Sequence, residues 1–569
     1  MTAFSTRPSR IAAGTAALLL LSSLAATPAQ AADSTSRAEA LRVDRVKVTI
    51  DWYACGPALE CATVNLPRDY DDPRGPTVEV ALARVKAKDQ KRRLGSLFVN
   101  PGGPGGSGVQ MAASAPYFLG QSLLDRFDIV GMDPRGIGFS QPVQCFTSLK
   151  TQTRALGDGL QRWFPWTKAE TAAYLKSSKA EAQGCSTTGR PLSASMSTAQ
   201  VARDMDVVRR AVGDKKLTYL GFSYGSYLGG VYANLFPDRV RAVTIDGVLD
   251  PVAWAGTWPT AATPVTLRIK SAEGAHRALT TGFARCKAAG AKYCHIAADP
   301  AGIYKRVADG LKKKPLEIPD EESGETLRVT YADFVGLTRS ALYGEYGMEL
   351  IDAATNDLDQ LMRGVQPTVH TLGYAAVRQA LAKQAQQGYA FPYDNSLDAF
   401  STVLCTDSLN PRLQSTWEKA IAANDKVAPH FARIWGWQSV TCARQYWTAQ
   451  DEDSYRGPFT KKTAARVLVV GNYYDPATNY TSAVTMAKLM PNSTLLSSDS
   501  WGHTAYGTSA CVTDAVTNYL LTGKTPASGT VCQGNYQPFR QPLEAVTGQT
   551  ARDARKGLPP VVPPAMPLR

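Results

Sequence analysis

Three residues carry the chemistry open to this chain: Ser223, Asp475 and His503. Ser223 sits in Gly221-Phe222-Ser223-Tyr224-Gly225, between a β-prone run, Leu217-Thr218-Tyr219-Leu220, and a small-residue helical pattern that ends at Phe236-Pro237. Strand, tight turn and helix with a serine at the apex make a nucleophile elbow. The turn strains the backbone and lifts the hydroxyl above the sheet edge. Glycines two before and two after the serine are needed because strand and helix pass too close there for side chains. A neutral hydroxyl is a weak nucleophile and needs a base, itself oriented by an acid.

The acid candidate is Asp475, just past the apolar run Arg466 to Gly471, where an open parallel sheet places its site. The base candidate is His503, in the loop Ser500-Trp501-Gly502-His503-Thr504. The chain has five histidines; His276, His295 and His370 fall in a helical stretch, as does His430. The order Ser223, Asp475, His503 is the α/β-hydrolase order and differs from that of other serine-protease folds.

The run Asn100-Pro101-Gly102-Gly103-Pro104-Gly105-Gly106-Ser107-Gly108 has two readings. It matches the dinucleotide fingerprint G-x-G-x-x-G after a strand. Pro104, however, lacks the N–H that a pyrophosphate needs, and Pro-Gly-Gly-Ser-Gly opens a helix poorly. The stronger reading is an oxyanion loop, with the N–H groups of Gly103 and Tyr224 as donors; losing one such donor costs about 10²-fold or more in kcat.

These residues need a sheet to position them. Val46–Trp52, Ala62–Leu66 and Thr77–Val85 read as strands, an antiparallel entrance to the sheet. Leu94–Val99, apolar without alternation, reads as a strand buried on both faces, Phe127–Met132 and Arg466–Gly471 as further buried strands, and Leu217–Leu220, Val240–Ile245 and Ser493–Ser497 as the other strands of the sheet. A helix starting near Ser197 and stopping at Gly213 precedes the serine strand. Strands alternating with helices predict an α/β fold with a mostly parallel sheet covered on both faces. Between Pro251 and about Tyr389 helical patterns replace strands, so an inserted helical cap is expected over 251–400. The sheet core is then 46–250 and 401–545. A Pro-rich tail, 546–569, follows.

Composition bounds the rest. The 569 residues are 44% hydrophobic and 20% charged, with net charge +13 spread without long basic runs, which argues against nucleic-acid binding. Arg7 and Arg10, the apolar stretch Ile11–Ala26 and Ala29-Gln30-Ala31 have the form of a cleaved export signal over 1–31, followed by a leader or flexible arm over 32–45. Ten cysteines, an even number, suit an oxidising compartment and fall into sequence-local pairs: 55/61, 145/185, 286/294, 405/442 and 511/532. No metal-ligand spacing occurs, the apolar stretch of the signal is too short and interrupted to span a membrane, and no later segment approaches membrane length, so the expectation is a secreted protein with no metal, no cofactor and no membrane partner.

Taken together, Asn100–Gly108, Asp133-Pro134-Arg135-Gly136, Gly221–Gly225, Asp475 and Trp501-Gly502-His503 resemble the secreted tripeptidyl aminopeptidases of actinomycetes, in the prolyl-aminopeptidase group of α/β-hydrolases. The resemblance spans about residues 45 to 535. It implies an exopeptidase that removes short peptides, often tripeptides, from a free N-terminus, some members preferring proline before the cut. Prolyl aminopeptidases usually carry His before Gly-Gly-Pro-Gly. Pro101 stands there, which weakens single-proline release. Such an enzyme must bind the substrate's ammonium, and Glu345, Glu349 and Asp407 are the candidate carboxylates. A carboxylesterase or lipase on the same three residues is the alternative, since a fold does not fix the substrate. A non-catalytic binding module would predict loss of one of the three, and all are present.

Overall fold

Alternate residues of the central strands face opposite ways, and each set meets its own layer of helices. Leu97 and Val99 pack into one buried cluster while Phe98 packs into another, and Leu468 and Val470 likewise part from Val467 and Val469. A strand so covered must be apolar throughout, which is why these runs show no polar alternation. The computed structural model describes residues 28–157, 159–160, 162–319, 326–365 and 393–543. The expected export signal up to residue 27, His370, the region around Tyr389 and the Pro-rich tail lie outside the described residues.

The main sheet has ten strands: β1 (Tyr53–Gly56), β2 (Leu59–Pro67), β3 (Thr77–Val85), β4 (Gly95–Asn100), β5 (Phe127–Met132), β6 (Leu217–Phe222), β7 (Val240–Asp246), β10 (Val467–Tyr474), β11 (Ser493–Trp501) and β12 (Val531–Cys532). Their order is β1-β2-β3-β5-β4-β6-β7-β10-β11-β12. β1, β2, β3 and β5 pair antiparallel in turn, and every pairing from β5 through β4 to β12 is parallel. The helices Thr198–Ala211 and Tyr224–Leu235 cover one face; Gly108–Phe118 and Ala510–Thr522 cover the other. Two short strands, β8 (Leu316–Pro319) and β9 (Thr326–Val329), form a separate antiparallel pair inside the helical region.

Three expectations need correction. Residues 32–45 are no flexible arm: they belong to a helix, Pro28–Asp44, packed on the helices beside β6, with Glu39 on Arg203 and Asp44 on Arg239. Val46–Trp52 is not a strand. Val46 is buried and Val48, Ile50 and Trp52 pack on the same core, so the alternation reports burial, but no neighbouring strand completes a ladder. The helical layer is also wider than 251–400. It draws on Lys168–Ser186 upstream, and downstream on Thr416–Asn424 and Phe431–Gly436, whose Trp417, Ile421, Phe431 and Ile434 enter the cap's own core. The ten cysteines form five bridges in the expected local pairs. Among the described residues no helix is long and apolar enough to cross a membrane.

Candidate active site

β6 ends at Phe222 and the helix Tyr224–Leu235 begins with one residue between, so Ser223 alone makes the turn, at φ 56° and ψ −123°. Such a conformation is strained for a residue with a side chain and persists only when its surroundings fix it. Here they do. The Ser223 N–H donates to the Asp246 carbonyl at the end of β7 (2.9 Å), and the Ser223 carbonyl accepts from the Ser226 N–H (2.8 Å) and hydroxyl (2.5 Å). Tyr219 braces the following turn, donating its hydroxyl to the Gly225 carbonyl at 2.8 Å.

Asp475 lies in the loop just after β10, fully buried, and both its oxygens lie 2.9 Å from His503 Nδ1. It also accepts from the N–H groups of Ala477, Thr478 and Thr504 and from the Thr478 hydroxyl. Burial alone would push this carboxyl up; the His503 ring and these hydrogen bonds outweigh it and hold the group below its ordinary value. The acid is therefore an anion that fixes one ring nitrogen. The other, Nε2, is buried and has no partner among the described residues. The His503 N–H donates to the Tyr343 carbonyl (2.9 Å), and the Tyr343 ring meets the imidazole edge-on at 5.1 Å. Asp246 was missed as a support. Its carboxylate accepts from the N–H groups of Ala505 and Tyr506 and so anchors the loop that carries His503. An aspartate at the end of a mostly apolar strand, next to Gly247, was the signal.

The glycine loop leaves β4 and lies on the elbow. A Cβ on Gly102 would stand 2.3 Å from the Phe222 carbonyl oxygen and 2.9 Å from Ser223 Cβ, so only glycine fits, at φ +91°. Asn100 Oδ1 accepts the Gly102 N–H, and the Gly102 carbonyl accepts the Gly106 N–H. Neither the Gly103 nor the Tyr224 N–H donates to another group among the described residues. Asp133 clamps the loop from below, accepting from the Ser107 hydroxyl and the N–H groups of Val109 and Phe139; burial pushes its carboxyl up to about 6. Arg135, wholly buried, ties the same turn to Asp204 at 2.6 Å. The motif Asp133–Gly136 thus supports the loop without touching Ser223. Gly103, Ser223, Thr478 and Tyr343 border one narrow cavity of about 40 Å³, roofed by cap residues.

The description "TAP-like protein" matches residues 428–532, and "alpha/beta hydrolase fold" matches 95–265. The chain is 30% identical to the serine protease Hip1 of Mycobacterium tuberculosis, over 85% of this chain and 91% of that one. It belongs to the TAP-like α/β-hydrolases. Two other relatives carry different names: a tripeptidyl aminopeptidase of Streptomyces lividans (29% identity, 89% and 90% covered) and a carboxylesterase B of Mycobacterium tuberculosis (33%, 83% and 86% covered). The family expected from the motifs is borne out.

In this TAP-like chain the three candidate amine-binding carboxylates have different surroundings. Asp407 is corrected: it is buried beneath the elbow and accepts from the Thr198 N–H (2.8 Å), the Thr198 hydroxyl (2.6 Å) and Trp254 Nε1 (3.1 Å), so it holds these groups together. Glu349 is also spent in part, accepting from the Tyr536 hydroxyl (2.5 Å) and the Phe539 N–H (2.8 Å) and so tying the C-terminal segment to the cap. Glu345 is half-buried, and its backbone nitrogen faces Gly502, beside His503. Burial raises its carboxyl. Two groups of three possible ligand side chains come together in space among the described residues, away from this cavity: Cys286, Cys294 and Asp352, whose two sulfurs form a disulfide, and Asp69, Asp71 and Asp453, of which two pair with Arg42.

Proposed function

We propose that the protein is a secreted serine exopeptidase that releases short peptides, tripeptides foremost, from free N-termini through an acyl-enzyme. The observation that carries this is the imidazole of His503: one nitrogen is held by an ionised, buried Asp475 and the other is unpartnered. In the proposed reaction Ser223 Oγ attacks the scissile carbonyl and its proton passes to His503 Nε2. The negative charge that develops on the carbonyl oxygen is taken by the N–H groups of Gly103 and Tyr224, which need no reorganisation because the glycine loop is already braced. His503 then gives the proton to the leaving amine, and a water activated by the same nitrogen frees the peptide from Ser223. Glu345 is the carboxylate we assign to the substrate ammonium. Export is supported by the five disulfides, which persist in oxidising compartments.

Ala-Ala-Pro-nitroanilide, free and N-acetylated, tests the exopeptidase reading: the free form is turned over and the acetylated form is not, and mass spectrometry of a digested peptide shows released tripeptides. Equal rates on both forms overturn it. A second reading, a carboxylesterase on the same residues, is favoured by the relative of that name. Rapid turnover of short acyl esters with no amide cleavage selects it.

A further inference from the structure

Arg339 is a buried cation without an anion. It lies on the helix Tyr331–Leu342, is 3% exposed, and borders the same cavity as Ser223 and Gly103. The other arginines buried to this degree each hold a carboxylate: Arg135 holds Asp204, Arg203 holds Glu39 and Arg209 holds Asp206. No carboxylate pairs with Arg339 among the described residues, and its Nε is shut from solvent with no acceptor. Its guanidinium carbon stands 4.7 Å from the ring centre of Trp163 and 5.5 Å from that of Trp435. Contact with two indoles offsets part of the cost of removing the charge from water. It leaves the in-plane N–H fork unused, however, and that fork fits a carboxylate in two-point geometry. A buried donor such as its Nε, left open, costs stability unless something fills it.

We infer that Arg339 selects substrates by binding a carboxylate on the acyl part, which in a peptide is a Glu or Asp side chain before the cut bond. The surrounding Leu249, Phe400, Leu404 and Trp435 would pack the aliphatic stem of such a side chain. The inference rests on the proposed acyl-transfer site and goes beyond it in naming the group that the cap recognises.

The test compares kcat/KM of the unmutated protein and Arg339→Met on tripeptidyl nitroanilides carrying Glu or Gln at each of the three positions. It is run in parallel on mono-p-nitrophenyl adipate and its terminal amide. The expected result is a preference for the acid of roughly 10- to 100-fold at one position and in the ester pair. Arg339→Met removes that preference and leaves the neutral substrates within about threefold. Absence of any acid preference, or its survival in Arg339→Met, overturns the inference. Preference in the esters with no peptide cleavage keeps the role of Arg339 and sinks the peptidase reading; peptide cleavage with no preference does the reverse. Should Arg339→Met fail to fold, inhibition of the unmutated protein decides: adipate competes with a neutral ester and adipamide does not, and equal inhibition by both overturns the inference.

Discussion

The buried acids beside the sheet and the polar groups buried in the cap are satisfied to different degrees. On the sheet side, the acids at the ends of β5, β7 and β10 are held by several donors: Asp133 by three, Asp475 by four besides His503, and Asp246 by the N–H groups of Ala505 and Tyr506. In the cap, Arg339 Nε, Glu349 Oε2 and the indole nitrogens of Trp435 and Trp437 are buried with no partner among the described residues. Several donors on one acid fix atoms in place, which suits groups that must meet a reacting bond to within fractions of an ångström. Open valence suits groups whose partner arrives with the substrate. Under the proposed mechanism this division puts bond-making at the sheet and choice of substrate in the cap, so substitutions on the two sides should differ in kind. Those on the sheet lower kcat for every substrate; those in the cap change which substrate is preferred.

The largest effects fall at the elbow. Ser223→Ala is expected to lower kcat roughly a million-fold on esters and peptides alike. Asp475→Asn should lower it about ten-thousand-fold by letting the imidazole present the wrong tautomer. Near-normal kcat in either variant removes that residue from the proposed mechanism and dissolves the sheet-side half of the comparison. Gly102→Ala comes next. Its methyl would meet the Phe222 carbonyl oxygen at 2.3 Å, so the loop must shift off the elbow and the Gly103 N–H with it. We expect kcat to fall about 10²-fold for all substrates with KM little changed. An unchanged kcat, with the fold intact by circular dichroism, shows that the loop contributes no donor.

The same asymmetry explains what could be read from sequence. Chain order and strand-end position located Ser223, Asp475 and His503 because a parallel sheet delivers its loops to one edge whatever the side chains elsewhere. The glycine loop was legible for a similar reason: Gly102 has no room for a Cβ against the elbow. The cap was legible only as helix. Helical periodicity shows that a face is buried and not what it is buried against, so the joining of Trp417 and Phe431 to a core with Tyr174 and Phe334 could not be foreseen. For Asp407 the sequence offered an acid beside Cys405, and nothing in it revealed that Thr198, more than 200 residues earlier, supplies two of its hydrogen bonds. Arg339 was passed over altogether. An arginine on an amphipathic helix looks solvated until its missing partner can be seen.

The smallest effect tests whether buried acids outside the reacting group behave differently from Asp475. Glu181, in the helix Lys168–Ser186, is fully buried between Thr441 and Ser401; burial, with Asp398 adding to it, pushes its carboxyl up to about 8. A folded value above the unfolded one means the fold favours the neutral acid. Stability is then present at acidic pH and lost as pH rises from about 4.5 to about 8. Asp475 has the opposite sign, since its lowered carboxyl contributes stability that is lost as pH falls below the ordinary carboxylate range. Asp133, Asp246, Asp398 and Asp407, pushed up to about 6, share the sign of Glu181 over a lower window. The difference between the melting curves of the unmutated protein and of Glu181→Gln at pH 6.5 and pH 8 therefore isolates Glu181, because His295, raised by Asp352, titrates in both. The unmutated protein should lose a few degrees of Tm across that interval. Glu181→Gln, which keeps the acceptor for Thr441 and cannot ionise, should lose less, with kcat at pH 7 unaltered. An equal loss in both proteins would mean that Glu181 is already ionised below pH 6.5, and its site would then be as strongly anion-supporting as the one around Asp475.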